Sequence, residues 1–517
     1  MSQLDSHIVF TVIPAYGHIR AVCILVARLV KENRNLVATV FIPPNYLDSS
    51  FLEVEAELGQ SATDEAIRKR IRILSTFSAS DGNLMDLSKP TAESYTSYYE
   101  ALVQEKPISC AVKGTPFEAV LAPTLVIADF FAGTQFEATR KLTGHRVPIV
   151  AAITAHASSI IRLFGPESHG GIGDLSKMVE AEAERTGKKP EEVGDEVLQA
   201  TSGKVVKIAG IPDMYDYEYF PQVLPFSGAI PFMTAANKIL PACDGVVMAS
   251  SYAFENESLQ SMKSWFADWN KELFAVGPLL PAGYGFAKQS ARGADEVEAF
   301  MEKALKEYGE KSVVFISFGT IFWSTRPEFI EEVLEALLEK KFPFVFAYAS
   351  PFANLPEELL QRVKASGLGL ISKWTPQQYI LSHPATGWFL SHCGHNSIME
   401  SLGCGVPLIC WPFQADQPAA AAYLTEYLNV AIELIEVRTG EKGLKPLLRN
   451  GRVPKGTRDA VGIEIREVID LVRGAKGDEL RRNAESFKIK FTEVWEEKGI
   501  SRKEAQALLE KFRLVKH

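Results

Sequence analysis

WTPQQYILSHPATGWFLSHCGHNSIMESLGCGVPLICWPFQADQ, residues Trp374–Gln417, holds a strand, a tight turn and the start of a helix. Thr386–Leu390 is a short apolar run of strand type, His392-Cys393-Gly394 makes the turn, and His395-Asn396-Ser397 opens a helix expected to stop at Gly403 or Gly405. The first turn of a helix presents unpaired backbone N–H groups and the positive end of its dipole, which suits an anion such as a phosphate. Gly394 lets the backbone come close, and His392, Asn396 and Ser397 add side-chain donors at the same point. Glu400 follows Ser397 on the same helix face, where a carboxylate can accept from a ribose diol. Trp374, at the end of the preceding strand, offers a flat ring for a base to stack on. These parts read together as a nucleotide-diphosphate site.

The stretch closely resembles the signature box of the family 1 UDP-glycosyltransferases, best known from plant secondary metabolism. That box reads W-x-P-Q-x-x-I-L-x-H, then G-x-F-x-S-H-C-G-W-N-S, then E, G-V-P, W-P and D-Q, and the span here matches it in length. One position departs: His395 stands where the family has Trp. The resemblance implies a GT-B fold, two Rossmann-like β/α/β domains facing a cleft. It also implies an acceptor-binding domain over 1–280, a linker over 281–297, a UDP-sugar-binding domain over 298–490, and a helical tail over 491–517 that packs back on the first domain. On the same resemblance Trp374 stacks on uracil, Gln377 contacts the base edge, and Glu400 holds the ribose. Thr320, in a turn resembling the family's F-G-S, lies at the diphosphate with His392, Gly394, Asn396 and Ser397. Asp416 and Gln417 resemble the family's sugar-hydroxyl contacts, and a final Gln usually accompanies glucose. The family's Trp also lies by the sugar, so His395 belongs to that group, while its backbone N–H can still serve the diphosphate.

Bulk properties fit this reading. The chain has 517 residues, 46% hydrophobic and 23% charged, enough for two or more globular domains. A net charge of −9 gives no reason to expect nucleic acid or an anionic membrane as partner. Six cysteines without a C-x-x-C pair read as buried thiols of a reduced, cytoplasmic chain rather than a disulfide framework. The start, MSQLDSHIVF, has no basic segment ahead of an apolar one, and no apolar run approaches ~18 residues. The expectation is a soluble monomer without a membrane span.

Along the chain, His7–Ile13 reads as a buried strand, followed by a turn and a helix from about His18 to Lys31; Val37–Ile42 and Arg72–Leu74 read as further strands. The first turn lacks G-x-G-x-x-G, which disfavours a hydride-transfer site. His18 sits after the first strand, where open α/β sheets place their ligand crevice. Thr124–Ala128 runs into Asp129 at a second strand end, so both side chains are expected at one cleft. A carboxylate bonded to one imidazole nitrogen orients the other as a general base. Taken singly, His18 also reads as a helix-start residue and Asp129 as a helix N-cap. PAYGHIR and LVIADFF resemble the segments that carry the family's catalytic His and Asp, which match His18 and Asp129. Phe130 and Phe131 then fall on the acceptor side. Thr154-Ala155-His156 follows the strand Val147–Ile153 and resembles the family's segment near sugar and acceptor: Thr154 is placed to bond the sugar, and His156 reads as acceptor contact or plain pocket wall.

Gly165–Val205 reads as a mobile loop and an exposed helix, Met214–Phe220 as ordinary aromatic packing or an acceptor wall, Leu280–Gly293 as a linker, and Lys476–Phe512 as amphipathic helix. A second β-α alternation runs from Ser312–Ser317 through Pro343–Tyr348 and Gly369–Ile371 to the box. No D-x-D occurs in the chain, and His383, His392 and His395 lack a carboxylate at ligand spacing, so no metal and no other cofactor is expected. No G-x-S-x-G is present for a hydrolase triad. The function expected is inverting transfer of glucose from UDP-glucose to a hydroxyl of a small phenolic, flavonoid or sterol acceptor. Alternatives are a non-catalytic UDP-sugar-binding protein or a UDP-sugar epimerase of the same fold. The long acidic insertions and His395 set the chain apart from the plant enzymes and fit another branch, such as a fungal one.

Overall fold

A computed structural model of the chain describes residues 4–79, 82, 84–226, 230–286 and 289–514. Residues 287 and 288 of the expected linker and 515–517 of the expected tail lie outside them.

The apolar runs form two parallel sheets. The first contains β1 (Ser6–Thr11), β2 (Leu36–Phe41), β3 (Ile71–Leu74), β4 (Leu125–Asp129), β5 (Ile149–Ile153), β6 (Gly245–Met248) and β7 (Leu273–Ala275) in the order β7-β6-β5-β4-β1-β2-β3. The second contains β8 (Val313–Ser317), β9 (Phe344–Ala347), β10 (Gly369–Ser372), β11 (Thr386–Ser391), β12 (Leu408–Cys410) and β13 (Ala431–Glu433) in the order β10-β9-β8-β11-β12-β13. Every pair in both sheets is parallel. Most strands, the edge strand β10 excepted, are buried on both sides and read as continuous rather than alternating apolar runs. In each sheet the strand order reverses between two central neighbours, β1 and β4 in the first, β8 and β11 in the second. Ligands of open α/β sheets bind beyond the carboxyl ends of strands at such points.

Several expectations are corrected. Gly165–Val205 is not a loop with an exposed helix but a helical pair, Leu175–Thr186 and Pro190–Leu198. Leu175, Val179 and Ala183, four residues apart, pack with Val193 and Ile230 in a small core of their own. Lys476–Phe512 is two helices, Ala475–Glu493 and Ile500–Lys511, broken before Gly499, where a side chain would clash with the carbonyl of Val494. Met214–Phe220, in contrast, keeps its packing reading, lying between the lobes: Tyr217 donates to the carbonyl of Pro446 (2.7 Å), and Glu218 accepts from the N–H of Leu448 (2.9 Å). The linker is not free, since Tyr284 is buried and Asp295 already starts a helix whose Val297, Met301 and Ala304 belong to the second core.

The tail returns to the first lobe. Trp495 donates to the carbonyl of Pro278 (3.1 Å) and lies under the Arg28 guanidinium at 4.0 Å; Ser501 bonds the carbonyl of Gly277, and Ser6 that of Leu514. Among the described residues no helix is long and apolar enough to cross a membrane.

Candidate active site

At the first reversal point, β1 turns at Pro14-Ala15 into the helix Tyr16–Glu32, and β4 ends in Asp129. His18 Nδ1 and Asp129 Oδ2 are 2.7 Å apart; Asp129 Oδ1 accepts the N–H of Phe131 at 3.0 Å. The carboxylate is buried, while the imidazole keeps 19% of its surface. A proton on Nδ1 held by Asp129 leaves the lone pair on Nε2, the state a general base requires. Phe130 and Phe131 flank the imidazole, with ring centroids at 6.3 and 6.0 Å. Phe130 is core, whereas Phe131 is only half buried and meets Phe232.

At the second reversal point, β8 runs into Phe318-Gly319-Thr320 and β11 into His392-Cys393-Gly394, with Gly394 as N-cap of the helix His395–Gly403. The His392 ring nests between these turns: a Cβ on Gly319 would lie 2.9 Å, and one on Gly394 2.6 Å, from its Nε2. Gly319 also has φ +74°, a left-handed conformation that favours glycine. Thr320 is exposed beside this turn, Ser397 is buried in the first helical turn, and Trp374 is 55% exposed, its ring open to a stacking partner. Gly394→Ala is expected to weaken UDP binding severalfold by displacing His392, with little change in unfolding midpoint; calorimetry and a denaturant titration check both.

The two lobes touch at the site. Asn396 Nδ2 donates to the carbonyl of Gly17 at 3.1 Å. Glu400 is fully buried, holding Arg20 Nη1 on one oxygen and Gln377 Nε2 on the other, each at 2.5 Å. Gln417 is buried with its side-chain carbonyl on the N–H of Phe413 (2.9 Å), while Asp416 Oδ2 accepts the N–H of His395 (3.0 Å). His395 Nδ1 lies 3.1 Å from His156 Nδ1, and the Thr154 hydroxyl is buried without a hydrogen-bond partner. Contacts thus join His156, His395 and Asp416 to one another and Asn396 and Glu400 to the first lobe, while Glu400, Gln377 and Gln417 are tied to protein partners and Trp374 takes part in none of these contacts.

Sequence reading missed Arg20 and Glu255. Arg20 was legible as a charge inside an apolar helix, since a buried Arg requires a partner. Burial works against its charge, but the carboxylates of Glu400 and Glu53 outweigh it and raise its pKa. Glu255, buried, accepts from the N–H groups of Ala157 and Ser158 at the start of the helix Ala157–Phe164 and from the Ser250 hydroxyl. Burial raises Glu255 to about 7 and Asp416 to about 6.

Burial lowers His7 to about 3, His392 and His395 to about 4, and His156 well below 6.5. In the unfolded chain such histidines titrate near 6.5, so between about pH 6.5 and 4 the unfolded state binds more protons at these sites. Asp416 and Glu255 act oppositely, taking up protons in the folded state first, but they are outnumbered. The urea midpoint is expected to fall as pH drops from 7 to 5; an unchanged or rising midpoint would contradict the neutral burial of these rings.

Known proteins share the family and the fold of this chain. Residues 256–448 match the family model described as UDP-glucoronosyl and UDP-glucosyl transferase. The chain is 30% identical over 530 residues to the UDP-glycosyltransferase eriJ of Hericium erinaceus, an alignment covering 99% of this chain and 100% of that one. Among solved structures, Medicago truncatula UGT71G1 complexed with UDP-glucose superposes with a TM-score of 0.67 at 20% identity, covering 98% of each chain. Phytolacca americana UGT2 complexed with UDP-2fluoro-glucose and pterostilbene gives 0.65 at 19% identity, covering 98% of this chain and 100% of that one. The fold is GT-B.

Proposed function

The chain belongs to the UDP-glycosyltransferase family and is a UDP-sugar-dependent glycosyltransferase; from that premise we propose that it moves glucose from UDP-glucose to a hydroxyl of a small lipophilic acceptor, with inversion, as a monomer and without a divalent metal. The observation that carries the mechanism is the His18–Asp129 pair at 2.7 Å across the cleft from the His395–Gly403 helix start.

His18 Nε2 takes the proton of the acceptor hydroxyl as that oxygen attacks the anomeric carbon; the C–O bond to the diphosphate breaks, and UDP leaves with the electron pair. Attack opposite the leaving group turns the α-linked donor into a β-glycoside. Negative charge developing on the diphosphate is met by the helix N-terminus, by the donors of Asn396 and Ser397, and by Thr320. Trp374 stacks on uracil. Glu400 meets the ribose and Gln377 the base edge, so nucleotide binding competes with the bond between them and with the bond of Glu400 to Arg20. Phe131 and Phe232 favour an apolar, aromatic acceptor, in keeping with the pterostilbene complex of the Phytolacca enzyme.

The expected result is transfer of one hexose from UDP-glucose to a phenol or sterol, with initial rates unchanged by EDTA. Loss of activity in EDTA that Mg²⁺ or Mn²⁺ restores would overturn the metal-free reading. An epimerised nucleotide sugar as the product would overturn the proposed transfer.

A further inference from the structure

The imidazoles of His156 and His395 form a buried pair with no counterpart in the signature box, which has Trp at the second position. His156 follows β5 in the first lobe; His395 is the first residue of the diphosphate helix in the second. Their Nδ1 atoms, 3.1 Å apart, share a single proton, since burial keeps both rings neutral. That bond fixes the ring of His156, which is 1% exposed, and leaves its Nε2 buried without a hydrogen-bond partner. Nε2 stands 3.9 Å from Asp416 Oδ2, too far for a direct bond; Nδ1 is equally distant from Glu255 Oε1. A buried polar atom left unpaired is costly, so an unpaired ring nitrogen facing a carboxylate across such a gap marks a place for a ligand group.

The gap has the chemistry of a hydroxyl. In the tautomer where His395 Nδ1 donates to His156 Nδ1, the His156 proton sits on Nε2, and an oxygen about 2.8 Å from each atom accepts from that N–H and donates to Asp416. The position is that of the transferred sugar: Asp416 holds the first N–H of the diphosphate helix, His18 acts electrostatically on both Asp416 and His395, and the Thr154 hydroxyl, also buried without a hydrogen-bond partner, is two residues from His156. We propose that His156 Nε2 and Asp416 Oδ2 together grip one hydroxyl of the donor sugar, and that His395 acts as the positioning residue that locks the His156 ring. This rests on the UDP-sugar reading above and assigns His156 to donor selection rather than to the pocket wall.

Calorimetry with UDP and with UDP-glucose tests it on the full chain, without need of an acceptor. His156→Ala is expected to leave the affinity for UDP unchanged and to lower that for UDP-glucose by about five- to tenfold, the worth of one neutral hydrogen bond. His156→Gln, whose amide both donates and accepts, is expected to recover part of the loss. His395→Phe is expected to lower UDP-glucose affinity in the same direction by less. A His156→Ala protein with the wild-type ratio of UDP-glucose to UDP affinity overturns the inference, as does equal loss of both ligands in His156→Ala and His156→Gln. Wild-type protein that binds neither ligand defeats the UDP-sugar reading itself, and the inference with it.

Discussion

His18→Ala is expected to lower turnover by ~10²–10⁴-fold, the usual worth of a positioned general base, while the affinity for UDP-glucose stays as in the wild type. The split follows from geometry: His18 belongs to the first lobe and bonds Asp129, whereas the diphosphate turn and Trp374 belong to the second. Asp129→Asn gives a sharper version. The N–H of Phe131 already holds Oδ1 at 3.0 Å, so an Asn keeps its oxygen there and turns its NH2 toward His18 Nδ1. Nδ1 then becomes the acceptor and Nε2 carries the proton, which is the wrong tautomer for a base. Turnover is expected to fall nearly as far as in His18→Ala, with the ring still in place. Single-turnover rates and calorimetry on both variants check this. Full activity in either removes the dyad from the mechanism.

Arg20→Met is expected to be the most destabilising single change at the cleft. Glu400 is 0% exposed and Arg20 7% by side chain, so removing the cation strands a buried carboxylate that, among the described residues, keeps Gln377 as its side-chain hydrogen-bond partner. Breaking a buried pair from one side costs about 3–5 kcal/mol, most of it the penalty of the uncompensated charge. Arg20→Met combined with Glu400→Gln removes that charge and is expected to recover most of the loss. The same double variant is expected to bind UDP more weakly than the wild type, because a neutral amide is a poorer ribose acceptor than a carboxylate. Urea unfolding of both single variants and the double variant measures the coupling; additive losses would show that the pair contributes nothing specific.

Much of this was legible in the sequence because the chemistry is local. The strand-turn-helix of the box, the His after β1 and the Asp closing β4 are each set by short-range patterns, and parallel β-α alternation brings strand ends together whatever lies between them. What could not be read arises from pairings across long separations. Arg20 meets Glu400, His156 meets His395, and Asn396 meets Gly17 only once the lobes are docked. Glu400 therefore read as a ribose acceptor alone, and Gln417 as a sugar contact, though its carbonyl closes a local turn onto Phe413. The Gly165–Val205 stretch reads as loop and exposed helix because its charged faces dominate the composition, while a sparse apolar stripe decides the packing.

The most direct test of the account is proton NMR of the anomeric region while the protein acts on UDP-glucose with a panel of phenols and sterols. Replacement of the α-anomeric signal of the donor by that of a β-linked glycoside, with UDP released in step, is the predicted result. An α-glycoside would contradict in-line attack assisted by His18, and free glucose or an epimerised nucleotide sugar without any glycoside would contradict transfer altogether.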